Sequence, residues 1–148
     1  MEIRQVREKK KRYLSLLLLA DEQEDMIDRY LDRGTMYVLE DGGVTRAVCV
    51  VTDEGGGVLE LKNLAVDPAV KRRGYGRKMI EFLAKTYRGR FSVLQVSTGD
   101  SPNTVLFYES CGFTRSHIIP NYFPTHYDHP IYENGVLLRD RICLYRSL

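Results

Sequence analysis

A basic, glycine-containing stretch at the start of a predicted helix is the first part of the sequence that could bind a ligand. It reads VKRRGYGRKM, residues 70–79, and its glycines are Gly74 and Gly76. Backbone N–H groups at a helix N-terminus are unpaired and lie at the positive end of the helix dipole, so they can hold a phosphate, and missing Cβ atoms let it come close. The surrounding cations are Lys71, Arg72, Arg73, Arg77 and Lys78. The stretch predicts a diphosphate site; a capped loop beside a solvated basic helix face is the alternative.

Two common phosphate-binding patterns do not fit these glycines. The Walker pattern requires Gly-Lys followed by Ser or Thr, which is absent. The dinucleotide pattern requires a third glycine where Met79 stands, and it also requires an early strand with a ribose-binding acid. The anion site must therefore be of another kind.

The elements that would position this site follow from periodicity and turn residues. The predicted strand VLELKNLAV, residues 58–66, ends at the turn DPAV just before the glycines. Apolar residues recur at three- and four-residue spacing over 75–88, which predicts a helix that starts at the glycine stretch. A shorter helix is predicted from Ser101, as its N-cap, to Gly112.

The remaining sequence predicts further parts of the same sheet-based domain. Asp21 and Glu24 form a capping-box pattern that would open a helix ending at Gly34, after an earlier helix in KKKRYLSLLLLA. The other predicted strands are EIRQV, TMYVLE, TRAVCVV, FSVLQVS and DRICLYRS. We expect residues 1–148 to form a single domain of the α/β class, a mixed sheet with helices packed on it.

Composition limits the kinds of protein to consider. The net charge of +2 does not indicate a nucleic-acid-binding protein, and the basic run REKKKR is interpreted as a solvated helical turn. Three scattered cysteines without CxxC spacing argue against a disulfide framework and against a zinc site. The longest apolar run, YLSLLLLA, is too short to cross a bilayer. We expect a cytoplasmic protein that binds neither nucleic acid nor a membrane.

Two motifs in this order resemble those of the GCN5-related N-acetyltransferase (GNAT) family, in particular its small stand-alone bacterial members. LAVDPAVKRRGYGRKMIEFL is similar to the family's Arg/Gln-x-x-Gly-x-Gly/Ala motif, with Lys71 in place of Arg or Gln, and FYESCGF is similar to its later Tyr-x-x-x-Gly-Phe motif. The resemblance implies a GNAT-like fold, with a mostly antiparallel central sheet splayed at an acetyl-CoA site and flanking helices. Acetyl-CoA would be a cosubstrate, held without a metal. The cofactor-binding residues so implied are Leu64, Ala65, Val66, Lys71, Arg72, Arg73, Gly74, Tyr75, Gly76, Arg77, Asn103 and Tyr108.

The resemblance also implies chemistry near the thioester. Main-chain groups of Leu64 and Val66 are expected to pair with the pantetheine arm, and the Leu64 N–H to polarise the thioester carbonyl, which stabilises the oxyanion formed when an amine attacks. Tyr108 matches the family tyrosine whose hydroxyl lies near the CoA sulfur, so it is the predicted acid for the leaving thiolate. The alternative is that Tyr108 merely packs.

Two further assignments have open alternatives. Glu60 lies where some family members have a basic glutamate, but strand alternation puts Lys62 on the same face, where the two could simply pair. The family's arm-binding asparagine falls here at Ser101. Asp100, Ser101 or Asn103 could therefore make that contact, with local capping the preferred role for Ser101.

A long segment dense in tyrosine and histidine, residues 116–136, is predicted to cover the acceptor pocket. Asp128 or Glu133 would attract a cationic amine, whereas His126 and His129 lack the further clustered ligands of a metal site. Packing of the segment onto the protein or a homodimer contact is the alternative use of its aromatic residues. The residues expected to bind the acceptor are Tyr122, Phe123, Tyr127, Asp128 and Tyr132.

Together these patterns predict an acetyl-CoA-dependent N-acetyltransferase. The acetyl group would pass directly to a primary amine, of a small molecule or a peptide, in a ternary complex, because no cysteine lies where a nucleophile is needed. Tyr108 and Glu60 are the predicted catalytic residues. The alternatives are a non-catalytic acyl-CoA-binding module with a protein partner and a basic nucleic-acid-binding domain, and the nearly balanced charge counts against the second.

Overall fold

A computed structural model describes residues 1–148, with strands and helices along the whole chain. The strands are β1 (Glu2–Val6), β2 (Thr35–Asp41), β3 (Val44–Asp53), β4 (Val58–Val66), β5 (Val93–Gly99), β6 (Thr114–Ile119), β7 (Tyr132–Glu133), β8 (Val136–Leu137) and β9 (Arg141–Ser147). The helices are α1 (Leu14–Ala20), α2 (Glu24–Asp28), α3 (Tyr75–Tyr87), α4 (Pro102–Ser110) and α5 (Tyr122–His126), with short 3-10 turns at Lys10–Tyr13 and Pro68–Val70. None of the helices is long and apolar enough to cross a membrane.

Seven of the strands form one sheet, in the order β1-β2-β3-β4-β5-β9-β6. Every neighbouring pair is antiparallel except β4 and β5, which run in parallel. Strands β7 and β8 form a separate hairpin. The predicted mixed α/β sheet, mostly antiparallel and flanked by helices, is confirmed.

The parallel pair at the centre of the sheet is short and then opens. Val58–Leu61 pairs with Val93–Val96, and the pairing stops there although both strands continue. The rest of β4 keeps β3 as its partner on the other edge, and the rest of β5 keeps β9. The two strands therefore diverge, as the family resemblance implies, and leave a gap lined by strand backbone.

Two apolar clusters, one on each face of the sheet, hold the helices in place. On one face α3 buries Met79, Ile80 and Leu83 without any exposure. On the other face Leu17 of α1 and Ile27 of α2 are equally buried. Each such side chain contributes about 1.5–3 kcal/mol on burial. These contacts fix the position of the α3 N-terminus on one face and of the α1–α2 connection on the other.

The predicted capping box at Asp21 is wrong. Helix α2 begins after Gln23, and no side chain caps it. Asp21 instead accepts hydrogen bonds from the hydroxyls of Tyr30 and Tyr127, at 3.1 and 2.7 Å. The Tyr127 partner is 106 residues away in sequence, so a local pattern could not reveal it.

Two other predicted regions have features that their sequence patterns did not show. Residues 116–136 contain regular structure, namely most of β6, all of α5 and β7, and the first residue of β8. Ser101 does occupy the N-cap of α4, but its side chain makes no capping hydrogen bond.

Lysines of the basic run REKKKR form hydrogen bonds and ion pairs, although the sequence had predicted a solvated turn. The Lys10 ammonium donates to the carbonyl groups of Leu31 and Gly34, at 2.8 and 2.7 Å. Lys11 forms ion pairs with the two outer acids of α2, at 2.8 and 2.7 Å. Much of this positive charge is therefore used to hold α2 and the turn that follows it.

Candidate active site

The N-terminus of α3 presents unpaired backbone N–H groups in an open loop. Arg72 and Gly74 have positive φ angles of 64° and 83°, which curl the chain ahead of the helix. The first helical hydrogen bond runs from the Lys78 N–H to the Gly74 carbonyl at 3.0 Å, so the N–H groups of residues 75–77 have no helical partner. A curled loop that leads into free helical N–H groups is a site suited to a phosphate.

The two glycines of the loop have different surroundings. Gly74 is in the left-handed conformation, and nothing lies within 4 Å of where its Cβ would be. A Cβ on Gly76 would lie 3.0 Å from Cζ of Phe107. Gly74 therefore shapes the open loop, whereas Gly76 lets α4 approach α3.

The predicted cofactor-binding side chains around this loop fall into two groups. Residues 71–73 are exposed, and the ion pairs of the chain do not include them. The Arg77 guanidinium instead donates to the carbonyl and hydroxyl of Ser110, at 2.9 Å each. Tyr75 is buried and donates its hydroxyl to Asp41 at 2.7 Å. Tyr75 can thus offer a ligand only its backbone N–H group, whereas the Arg77 guanidinium is partly engaged by Ser110.

The gap between β4 and β5 exposes strand backbone near the same helix. Residues 64–66 lie beyond the last β4–β5 pair and are paired with β3 on one edge. The side chains of Leu64 and Val66 pack on the cluster under α3, and Ala65 belongs to the cluster on the opposite face. The backbone groups that point into the gap are available to an extended ligand, which could pair with them as an added strand would.

Ser101, which follows the end of β5, carries a buried hydroxyl without a partner. The residue is 1% exposed, and its Oγ makes no hydrogen bond. Leaving such a group unpaired costs about 1–3 kcal/mol. Asp100 is already used by the Arg139 N–H, at 3.0 Å, and Asn103 is exposed. Among these three residues the unpaired hydroxyl favours Ser101 as the contact to a ligand in the gap.

Tyr108 is buried on the face of α4 that packs against the sheet. Its ring contacts Phe107 and Phe113 edge-on, with centroids 5.2 and 5.5 Å apart. Burial, reinforced by the negative charge of Glu133, raises the pKa of its hydroxyl well above the usual value. The phenol is therefore protonated at neutral pH and able to donate a proton.

Glu60 lies in the closed part of the β4–β5 pair. Its Oε1 accepts a hydrogen bond from the Gln95 amide at 2.7 Å, and its other oxygen forms an ion pair with Lys62. The pairing with Lys62 that the sequence allowed is thus present. At 3.3 Å per residue, Glu60 is about 13 Å along the strand from Leu64. A proton arriving at Glu60 would have to compete with both partners.

The segment predicted to bind the acceptor lines a cavity of about 600 Å³ that is open to solvent. Three of the predicted residues line it, namely Phe123, Tyr127 and Asp128. The other two do not. Tyr122 stacks on His126 at 4.1 Å between ring centroids, and Tyr132 is 61% exposed on β7.

The same segment is hydrogen-bonded to the α1–α2 connection through three consecutive residues on each side. Residues 127–129 contact residues 21–23 through a hydroxyl, an imidazole and a backbone N–H. The hydroxyl donates to Asp21 at 2.7 Å, and the N–H of Asp128 donates to Gln23 at 3.2 Å. The wall of the cavity is therefore held against the face of the sheet that carries α1 and α2.

Of the residues that link this cavity to the strand gap, the sequence predicted a site role for Tyr127 alone. Tyr127 lines the cavity and donates to Asp21, which also accepts from Tyr30. The Tyr30 hydroxyl in turn accepts from the Asn63 amide at 3.1 Å, and Asn63 precedes Leu64 in the strand. A polar amide inside an otherwise apolar strand end was the available signal, whereas Asp21 resembled a helix cap.

This fold, with a free helix N-terminus beside a split central sheet, is that of the GNAT acetyltransferases. The family model of the Acetyltransferase (GNAT) domain matches residues 32–115, and the chain belongs to this family. It is an acetyl-CoA-dependent N-acetyltransferase, and acetyl-CoA is its cosubstrate. The exposed cations, the free N–H groups and the unpaired Ser101 hydroxyl fit the diphosphate and the polar arm of that molecule.

Similar proteins support the same conclusion. The uncharacterized N-acetyltransferase YvbK of Bacillus subtilis is 33% identical over 135 residues, which cover 90% of this chain and 87% of YvbK. A ribosomal protein bS18-alanine N-acetyltransferase of Salmonella typhimurium is 34% identical over 121 residues, covering 80% of this chain and 66% of that protein. The crystal structure of a GNAT family acetyltransferase from Elizabethkingia anophelis with acetyl-CoA bound has a TM-score of 0.92 and 28% identity, and covers 99% of this chain and 97% of its own.

Proposed function

We propose that the protein transfers the acetyl group of acetyl-CoA directly to a primary amine while both substrates are bound. The observation that carries this proposal is the arrangement of two consecutive residues at the strand gap. The Leu64 side chain packs on the cluster under α3, whereas Asn63 contacts Tyr30 in the polar network that leads to the cavity. A donor held in the gap and an acceptor held in the cavity would meet at this part of β4.

Each part of the site has one role in this reaction. The N–H groups of residues 74–77 and the cations at 71–73 bind the diphosphate. The gap-side backbone of residues 64–66 and the Ser101 hydroxyl bind the arm of acetyl-CoA, which supplies an activated thioester. The Leu64 N–H stabilises the oxyanion, and protonated Tyr108 gives its proton to the leaving sulfur.

Glu60 stays the predicted base that removes a proton from the incoming ammonium, directly or through water. The Salmonella relative is named for acetylating an alanine of a ribosomal protein, which keeps peptide amines among the acceptors. A non-catalytic acyl-CoA-binding module is not favoured, because the similar proteins are named acetyltransferases. A single domain over residues 1–148, a cytoplasmic location, a homodimer and the absence of nucleic-acid binding stay predictions.

Thermal unfolding with CoA, acetyl-CoA, NAD and ATP tests the donor site. A ligand at about 100 times its Kd adds roughly 2.7 kcal/mol of stability, so CoA and acetyl-CoA should raise Tm more than the other two ligands. Replacing Arg72 and Arg73 by Glu should remove most of that shift. Lys85→Glu, in the last turn of α3, is the matched control and should keep it. No shift with millimolar CoA or acetyl-CoA would mean that the α3 N-terminus is only a helix cap, and the proposal would fail.

A further inference from the structure

Asn63 carries a buried oxygen that no group in the protein satisfies. The residue is 3% exposed, and its Oδ1 has no hydrogen-bond partner. Its Nδ2 donates to the Leu17 carbonyl at 3.0 Å and to the Tyr30 hydroxyl at 3.1 Å. Since a carbonyl can only accept, Leu17 fixes the orientation of the carboxamide and leaves Oδ1 unpaired. An unpaired buried oxygen costs about 1–3 kcal/mol, which a bound donor would offset.

Asp21 is the second hydrogen-bond acceptor in this network. Tyr30 donates to one of its oxygens at 3.1 Å and Tyr127 to the other at 2.7 Å, so the network is polarised towards a negative charge at Asp21. Each carboxylate oxygen retains capacity for one more donor. Burial raises the pKa of this carboxyl, and the Asp25 charge acts in the same direction, whereas both hydroxyls and Arg141 oppose the rise.

Tyr127 joins this pair of acceptors to the cavity, because its ring lines the cavity and its hydroxyl contacts Asp21. Most of the exposed lining surface is apolar, from residues such as Phe123, Ile131 and Leu138, and the polar part includes Asp128, His129 and Arg139. Its volume of about 600 Å³ is in the range typical of sites for small organic molecules.

We propose, building on the proposed function above, that the acceptor is a primary monoamine with an apolar, aromatic-sized body. The body occupies the cavity, and the ammonium binds between the Asp21 carboxylate and Asn63 Oδ1. An ammonium has three donors and no acceptor, which suits two hydrogen-bond acceptors that both contact the Tyr30 hydroxyl. A substrate without these donors would leave Asn63 Oδ1 unpaired and would add no donor to Asp21, so the same contacts would set the specificity.

The test compares two nucleophiles that differ in charge but share a shape. The probes are 2-phenylethylamine, an ammonium at neutral pH, and O-benzylhydroxylamine, which has the same number of heavy atoms, is uncharged at neutral pH and is still a nucleophile. Asp21→Asn keeps the side-chain shape and removes the charge. It should lower kcat/KM for 2-phenylethylamine by about 10–100-fold, mainly through KM, because hydrogen bonds to charged groups are worth roughly 1.5–3 kcal/mol. For the uncharged probe, kcat/KM should change by less than about twofold.

Two further variants separate binding from structure. Asp32→Asn removes an exposed charge from the turn after α2 and should leave kcat/KM for both probes unchanged. Asn63→Leu removes the unpaired oxygen and should lower kcat/KM for both probes, while the Tm shift with acetyl-CoA is kept. Both effects are measured by CoA release, alongside thermal unfolding with acetyl-CoA.

Each remaining outcome has a definite meaning. If Asp21→Asn lowers kcat/KM equally for both probes, or for neither, Asp21 only holds the Tyr127 segment in place. The inference is then overturned. A wild-type protein that is stabilised by acetyl-CoA but releases no CoA with either probe overturns the acceptor class alone. A wild-type protein that acetyl-CoA does not stabilise overturns the proposed function itself.

Discussion

Gly76 and Phe107 meet where α3 crosses α4, and a Cβ on the glycine would lie 3.0 Å from Cζ of the phenylalanine. The Phe107 ring also packs edge-on against Tyr108, with centroids 5.2 Å apart. The glycine of the donor-binding helix is therefore one side chain away from the predicted catalytic hydroxyl.

We predict that Gly76→Ala lowers turnover and stability together. The new methyl group pushes on Phe107 and, through it, on Tyr108, and such overpacking costs about 1–3 kcal/mol. Unfolding in denaturant and CoA release at saturating acetyl-CoA are the measurements. Gly74→Asn is the companion variant, because there the space is open and Asn tolerates positive φ. Stability that falls as much for Gly74→Asn would contradict this account.

Tyr108→Phe should lower kcat by about 100-fold, the scale of general acid catalysis, without unfolding the protein. The raised pKa of the hydroxyl predicts in addition that Tyr108 does not limit the rate by losing its proton below pH 10, its ordinary pKa. CoA release across this pH range is the measurement. Unchanged turnover at saturating acetyl-CoA would remove Tyr108 from the mechanism.

Glu60→Gln should lower the rate at neutral pH and leave the high-pH rate intact, because an acceptor that is already deprotonated needs no base. Lys62→Met is the control, since it removes the ion-pair partner and keeps the carboxylate. If both variants have equal effects at every pH, the Glu60–Lys62 pair is structural and another group accepts the proton.

Ser101→Ala should reduce the Tm shift produced by CoA without destabilising the ligand-free protein. The hydroxyl makes no hydrogen bond in the protein, so its removal breaks none and relieves an unsatisfied group. Asn103→Ala is the competing variant from the same turn of α4. A shift lost with Asn103→Ala and kept with Ser101→Ala would reverse the assignment.

The contact between His129 and the α1–α2 connection should weaken as pH rises. Hydrogen bonds to Asp128 and Glu22, at 2.5 and 3.1 Å, raise the pKa of the imidazole. A pKa raised by folding contributes stability that is complete below the unfolded value of about 6.5 and is lost as pH passes the folded value. His129→Gln should flatten this part of the Tm profile against pH. An identical profile in the variant would show that the imidazole contributes nothing.

Local patterns predicted the elements that bind the donor. Helix α3 and the strand before it follow from the spacing of apolar residues, and α3 begins at the glycine stretch as predicted. These features depend on neighbours in sequence, which is what periodicity and capping rules describe. The donor site is also built largely from backbone, so the identity of most side chains matters little to it.

The acceptor side was less predictable because its contacts join distant parts of the chain. Asp21 looked like a helix cap, although Tyr127 is its partner, and the sequence did not show that the missing side chain of Gly76 makes room for Phe107. The unpaired atoms of Asn63 and Ser101 also depend on the surrounding packing. Apart from the polar amide of Asn63 in an otherwise apolar strand end, no property of a short window distinguished these residues.

The matched contacts between residues 21–23 and 127–129 have a consequence for how such enzymes diverge. Each hydrogen-bonding group in one segment has its partner in the other. A substitution in one segment therefore leaves a donor or acceptor of the other segment without a partner. Changes of acceptor among homologues should therefore arise through compensating pairs of substitutions, and a chimaera that exchanges one segment alone should inherit neither parent's preference.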